Sequence, residues 1–223
     1  MTIKLFLEAI IKYIVGVLLV GLLIFVPAGT FDYYYGWLFM AVLFVPMFIA
    51  GIIMMILNPK LLRRRLNAKE KESDQKEVLL LSAVMFILGF ISAGLNYRFS
   101  ILFLNSNVSI IGAVIFLLSY IMYGIVLIEN SYLLRTIEVE KNQKLIDTGF
   151  YSIVRHPMYT ATLFLFLSIP FILNSMISFP IFLMYPFIIV KRIKNEEKVL
   201  DNSLKGYKEY KKKVKYRLIP FIW

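Results

Sequence analysis

Four long uncharged apolar runs occupy most of the first 130 residues of this chain: Tyr13 to Phe31, Tyr33 to Pro59, Val78 to Tyr97 and Phe99 to Ile128. Each is close to or beyond the ~20 residues that a helix needs to cross a ~30 Å hydrocarbon core. The rest of the composition agrees, with 60% hydrophobic residues, 17% charged residues and a mean hydropathy of +0.75. Soluble domains run nearer ~45–50% apolar and ~25% charged. The expectation is a single membrane domain over residues 1–223, an all-α polytopic helix bundle. It divides into four spanning helices in residues 1–130 and a polar, chemistry-bearing portion in residues 131–223.

A fifth apolar run, Pro157 to Val190, would make a straight helix about 51 Å long, far more than one crossing needs. It is therefore expected to fold back as a C-terminal helical hairpin, residues 157–190, with Asn174 and Ser175 at the turn and arms of about 16 residues. The N-terminal run has a poor signal-peptidase site around Ala28 and Gly29 and is followed at once by a second run. It is read as a retained first membrane helix.

Loop charge sets the expected orientation. The segment from Lys60 to Glu77 holds Lys60, Arg63, Arg64, Arg65, Lys69, Lys71 and Lys76, whereas the connections around Asp32 and Arg98 are almost uncharged. The basic loop is read as cytoplasmic, and both termini with it. Lys191 to Arg217 then falls on the same side, and Tyr33, Tyr34, Tyr35 and Trp37 form an aromatic belt at the other. The net charge of +11 is thereby explained by topology and anionic lipid. Nucleic acid is not an expected partner, although tyrosines and lysines interleave in the tail. With no cysteine and one histidine, disulfides, thiolate chemistry and a metal centre are not expected.

The residues suited to chemistry fall into two clusters. Gly149-Phe150-Tyr151 and Arg155-His156-Pro157-Met158-Tyr159 stand where the fifth run begins, with Pro157 fit for a first helical turn whose free N–H groups favour an anion. Lys191-Arg192-Ile193-Lys194-Asn195-Glu196-Glu197 stands where the run ends, and Arg192 and Glu196 share a helical face. Taken singly, the first is lipid anchoring and a helix cap, and the second a solvated ion pair. A hairpin returns to the side it left, so the two clusters are expected to form one pocket.

The motif Lys144-Leu145-Ile146-Asp147-Thr148-Gly149-Phe150-Tyr151 is followed in turn by Arg155-His156-Pro157-Met158-Tyr159 and by Arg192 with Glu196-Glu197. Gly206-Tyr207-Lys208-Glu209-Tyr210 and Tyr216-Arg217-Leu218-Ile219-Pro220-Phe221 complete the series. In order and spacing it resembles the isoprenylcysteine carboxyl methyltransferase family, its bacterial relatives and, more distantly, phospholipid methyltransferases. The resemblance covers roughly the last 90 residues. It implies an S-adenosylmethionine site without a Rossmann fold, consistent with the lack of a Gly-x-Gly-x-x-Gly fingerprint. Cofactor contacts carried over by position fall on Gln143, Lys144, Leu145, Ile146, Tyr151, His156, Pro157, Met158, Tyr159 and Glu196, and the substrate-facing catalytic arginine falls on Arg192. Many eukaryotic members have histidine where this chain has Gln143.

Such chemistry suits these residues. Methyl transfer from a sulfonium is an in-line displacement, so a carboxylate nucleophile needs positioning and no general base. Arg192 is suited to grip that carboxylate, and Glu196 to accept hydrogen bonds from the cofactor. An amine nucleophile would need deprotonation, for which His156 is the side chain whose ordinary pKa lies near neutrality. The acceptor stays open among a prenylated cysteine, a small isoprenoid acid and a lipid amine. A second enzyme class, the nicotinamide-dependent sterol reductases, resembles the same region through Arg-His-Pro-x-Tyr. Its Arg-Asp-Glu and Lys-Tyr-Gly stand here as Asn195-Glu196-Glu197 and Lys205-Gly206-Tyr207. A membrane scaffold or transporter is disfavoured because the runs Tyr33–Pro59, Val78–Tyr97, Phe99–Ile128 and Pro157–Val190 hold no ionisable groups of the kind an ion pathway uses.

Overall fold

The computed structural model describes residues 3–66, 73–130, 132 and 143–223. The expected basic-loop residues Lys69 and Lys71, and positions 133–142 of the polar segment, lie outside them. The described residues form helices and no strands: α1 (Ile3–Ala28), α2 (Tyr34–Leu57), α3 (Pro59–Leu66), α4 (Ser73–Phe99), α5 (Ser106–Glu129), α6 (Pro157–Ile172), α7 (Phe179–Phe182), α8 (Tyr185–Ser203) and α9 (Tyr207–Lys213). A single 3-10 turn, Gly149–Ser152, precedes α6.

Four of these helices, α1, α2, α4 and α5, are long and apolar enough to cross a membrane. A spanning segment must satisfy its own backbone polar groups in hydrocarbon, which a helix does internally. Their outer faces carry exposed Leu18, Leu22, Ile49, Ile111 and Leu118, as lipid-facing surface should. The inner faces meet around Phe39, Phe90, Phe116 and Phe182, with ring centroids 5.5 Å apart for Phe39–Phe90 and 5.9 Å for Phe90–Phe182.

Lipid tails are as apolar as leucine, so helices associate in a bilayer by close packing, and small residues allow it. Gly94 of α4 lies against α1, where a Cβ would come within 2.5 Å of the Ile24 carbonyl oxygen. Gly112 of α5 lies against α6, where a Cβ would come within 2.9 Å of Phe171 Cβ.

The fifth apolar run does fold back. The arm α6 has 16 residues, and the chain reverses over residues 173–178, where Asn174 takes a left-handed φ of 50°. The apex is a buried polar knot. The Tyr33 hydroxyl donates to Leu173 O, Asn96 Nδ2 donates to Asn174 O at 3.4 Å, and Leu104 N donates to Asn174 Oδ1. These bonds supply partners that water would otherwise provide at a turn. The return differs from a plain second arm. It is split into short α7 and long α8, and α8 continues without a break from the apolar Tyr185-Pro186-Phe187 through the charged residues to Ser203.

Two boundaries also differ from the sequence reading. The first helix starts at Ile3, with Lys4, Glu8 and Lys12 included, since Lys12 Nζ is satisfied by Glu8 at 2.7 Å and by Leu66 O at 2.8 Å. Part of the expected basic loop is helix α3, for which Asn58 supplies the cap (Leu61 N to Asn58 Oδ1, 3.1 Å) and Pro59 the first position. Capping and the burial of Leu61 and Leu62 outweigh three adjacent arginines.

Replacing Gly94 by Val is expected to force α1 off α4 and cost about 1–3 kcal/mol. The control Gly124→Ala, with nothing within 4 Å of the added carbon, should leave stability unchanged. Thermal unfolding in detergent micelles checks both.

Candidate active site

Helix α8 delivers Arg192, Glu196 and Glu197 to the entrance of α6, and the C-terminal tail closes over them. His156 is the N-cap residue of α6 and Pro157 its first helical residue. The imidazole makes no capping bond, while the His156 carbonyl accepts from Tyr159 N (3.0 Å) and Thr160 N (3.1 Å). The ring therefore points toward α8.

Glu197 is the hub. One oxygen accepts from Arg155 Nε at 2.8 Å and lies 3.4 Å from His156 Nε2, and the other accepts from Arg217 Nε at 2.9 Å. Arg155 also donates through Nη1 to the Val214 and Lys215 carbonyls, each at 2.8 Å. Backbone bonds extend the strap: Arg155 N to Tyr216 O (2.9 Å), His156 N to Arg217 O (3.0 Å) and Thr160 Oγ1 to Leu218 O (2.8 Å). Burial on its own would raise the Glu197 pKa. The hydrogen bonds and charges of His156 and Arg155 outweigh it and hold the carboxyl well below the usual carboxylate range.

One residue before, Glu196 faces a different set. The Tyr159 hydroxyl donates to Glu196 Oε2 and accepts from Arg192 Nε at 2.9 Å. Glu196 Oε1 stands 4.0 Å from His156 Nδ1. Arg192 also donates through Nη1 to Gln75 Oε1 at 3.3 Å. Arg192 and His156 are buried, whereas the Glu196 side chain keeps 19% of its surface. The imidazole thus lies between two carboxylates, and Tyr159 stands between Arg192 and Glu196, in place of the surface ion pair that their spacing suggests.

The loop of residues 143–147 runs beside α9. Leu145 packs on the cluster Leu204, Tyr207, Tyr210 and Val214, and Asp147 pairs with Lys213 at 3.1 Å. The Tyr151 hydroxyl accepts from Asn130 Nδ2 at 3.1 Å, and its carbonyl accepts from the Tyr210 hydroxyl at 2.6 Å. Gly149 holds a φ of +55° so close to Glu129 that a Cβ would lie 2.1 Å from Oε1, and that carboxylate accepts from Phe150 N at 3.1 Å. Tyr207 is buried, and its hydroxyl has no hydrogen-bond partner among the described residues. Burial first, then the charges of Glu197 and Glu196, raise its pKa.

Of the expected site residues, His156, Tyr159, Arg192 and Glu196 are brought into one connected group. Leu145 and Tyr151 are tied to α9 and the tail. Pro157 is buried, and Met158 packs on the membrane core as a wall of the group. Gln143, Lys144 and Ile146 lie on the loop leading to Tyr151. Sequence reasoning left Glu197 without a role and missed Gln75, Glu129 and Asn130. The last two carried a signal, a polar pair closing an apolar span, and Gln75 carried none.

The family model of the isoprenylcysteine carboxyl methyltransferase (ICMT) family matches residues 109–202. This region belongs to the ICMT family. The fold agrees over more of the chain. A solved structure of the eukaryotic intramembrane Ras methyltransferase ICMT superposes with a TM-score of 0.58 at 20% identity, covering 84% of this chain and 66% of that one. Delta(14)-sterol reductase TM7SF2 of Mus musculus is 30% identical over 93 residues, 40% of this chain and 22% of that protein. The chain therefore spans about a fifth of that curated relative and just under two thirds of the solved ICMT chain. The ICMT-family region contains His156, Tyr159, Arg192, Glu196 and Glu197, while Gln75 and the strap at 214–218 lie outside the matched residues.

Glu197→Gln should release the tail, since breaking a buried ion pair costs roughly 3–5 kcal/mol. Hydrogen exchange at residues 214–218 is expected to rise sharply. The depressed pKa also fixes a sign: Glu197 contributes stability that is present above the unfolded carboxyl pKa of about 4.3 and is lost as pH falls below it. Acid titration of thermal stability should be steeper for the wild type than for Glu197→Gln.

Proposed function

We propose that this chain is a membrane methyltransferase that uses S-adenosylmethionine and methylates the carboxylate of a lipophilic, prenylcysteine-like substrate. The observation that carries this reading is the chain of bonds from Arg192 through Tyr159 to Glu196, beside His156, at the mouth of the hairpin. It sets a buried guanidinium a few ångströms from a half-exposed carboxylate. Such a pair can receive an anionic acceptor and a cationic donor side by side.

The residues present fit the cofactor. Glu196 retains exposed carboxylate surface for hydroxyl donors, and the buried Tyr207 hydroxyl is an unsatisfied polar group of the kind a ligand completes. The binding surface we assign comprises Gln143, Lys144, Leu145, Ile146, Tyr151, His156, Pro157, Met158, Tyr159 and Glu196. S-adenosylmethionine would supply an electrophilic methyl group. Arg192 holds the acceptor carboxylate by charge-assisted hydrogen bonds, and Tyr159 fixes the guanidinium by accepting from Nε. Glu196 places negative charge beside the cationic centre, and Glu197 keeps His156 oriented through Nε2. Catalysis then comes from holding the reacting atoms in line. The residues bearing this chemistry share one end of the bundle with the basic helix α3 and with Lys191, so that end is assigned to the cytoplasm. The lipid tail of the acceptor would lie among the membrane helices.

The stretch shared with Delta(14)-sterol reductase supports a second reading, a nicotinamide-dependent reductase. Calorimetry on detergent-purified protein separates the two. S-adenosylmethionine is expected to bind in the micromolar range, with affinity reduced at least tenfold by His156→Ala and by Glu196→Ala. Binding of NADPH without S-adenosylmethionine would replace the methyltransferase reading with the reductase.

A further inference from the structure

Arg192 is held by a residue from the opposite half of the chain. Gln75 lies in the first turn of α4, is 1% exposed, and accepts from Arg192 Nη1 at 3.3 Å. A buried amide is costly unless it is hydrogen-bonded, so a Gln in this place is retained by the bond it makes. The contact is supported on both sides. Two residues on, Glu77 Oε2 pairs with Lys191 Nζ at 2.6 Å, tying the start of α4 to α8 beside Arg192 itself, and Val78 is buried in the bundle core.

The guanidinium is thereby held at two atoms by two helices, Nε by Tyr159 of α6 and Nη1 by Gln75 of α4. Two bonds to a planar group fix its plane as well as its position. Both of these partners are neutral. A carboxylate in place of the Gln75 amide would have nearly the same shape and would orient the guanidinium equally well, but it would cancel the charge being oriented. Glutamine orients without discharging.

We propose that Gln75 is a positioning residue that sets the plane of Arg192 while leaving its charge available, and that it thereby makes the site selective for an anionic acceptor. The inference rests on the proposed role of Arg192 toward a carboxylate. It adds that the selectivity is set by the N-terminal half of the chain, outside the family-matched region.

The test measures binding of N-acetyl-S-farnesylcysteine and of its methyl ester by calorimetry, in wild type, Gln75→Glu, Gln75→Ala and Arg192→Lys. S-adenosylmethionine affinity is read on every variant as the check that the site is folded. Wild type is expected to prefer the acid to the ester. Gln75→Glu should reduce that preference about tenfold with S-adenosylmethionine affinity unchanged, and Gln75→Ala should reduce it less. A preference weakened in Arg192→Lys but equal to wild type in Gln75→Glu would overturn the inference and leave the proposed function standing. A preference unaffected by Arg192→Lys would remove the role of Arg192 itself.

Discussion

The architecture of this site depends on the Glu197 carboxylate. It is a buried negative charge at a membrane boundary, a position that is tolerated only when charge and hydrogen bonds compensate it. The compensation comes from three segments far apart in sequence: Arg155 before the hairpin, His156 at its entrance and Arg217 in the tail. Buried ion pairs are weak sources of net stability, because desolvation offsets attraction. They are strong sources of specificity, because any arrangement that separates the partners leaves a charge alone. Glu197 thus selects one docking of α8, α6 and tail out of many that would bury similar apolar surface.

The adjacent glutamates divide the work by helical geometry. Successive residues on an α-helix point about 100° apart, so Glu197 turns toward Arg155 and Arg217 while Glu196 turns toward Tyr159 and keeps access to solvent. His156 joins the two sets, one ring nitrogen facing each carboxylate. Rigidity on the Glu197 side therefore positions the Glu196 side. The tail adds to this, because backbone bonds from Arg155 and His156 to Tyr216 and Arg217 fix the N-cap from which the imidazole projects.

Much of this was legible in the sequence, and the parts that were not have physical reasons. Apolar runs of bilayer length report four helices because hydrocarbon leaves the backbone few alternatives. The length of Pro157 to Val190 reports a reversal, and a reversal brings the Arg-His-Pro and the Arg-x-x-x-Glu-Glu together. Helix α3 was obscured by its charges, since its stability comes from the Asn58 cap and from Leu61 and Leu62 rather than from the arginines. The split return arm was also obscured, because α7 and α8 are both apolar at the break. Glu197 and Glu196 are one dipeptide to a reader of sequence, and only the rotation of α8 assigns them. Gln75 is a single polar residue at the edge of a charged stretch, and its partner lies 117 positions away. No periodicity or spacing encodes such a contact.

Electrostatics around the group bears on which acceptor the proposed reaction takes. Arg155, Arg192 and Arg217 oppose Glu196 and Glu197, so three positive charges against two negative leave one in excess among these five, with the imidazole counted as neutral. An ammonium entering beside Arg192 would add to that excess in a low-dielectric setting, where like charges are poorly screened. It would also have to lose a proton before reacting, and both nitrogens of His156 already face carboxylates. A carboxylate entering there balances the excess and is nucleophilic as it arrives. The carboxylate acceptor is therefore the one whose binding and reactivity ask nothing of this site that its side chains are not already arranged to give.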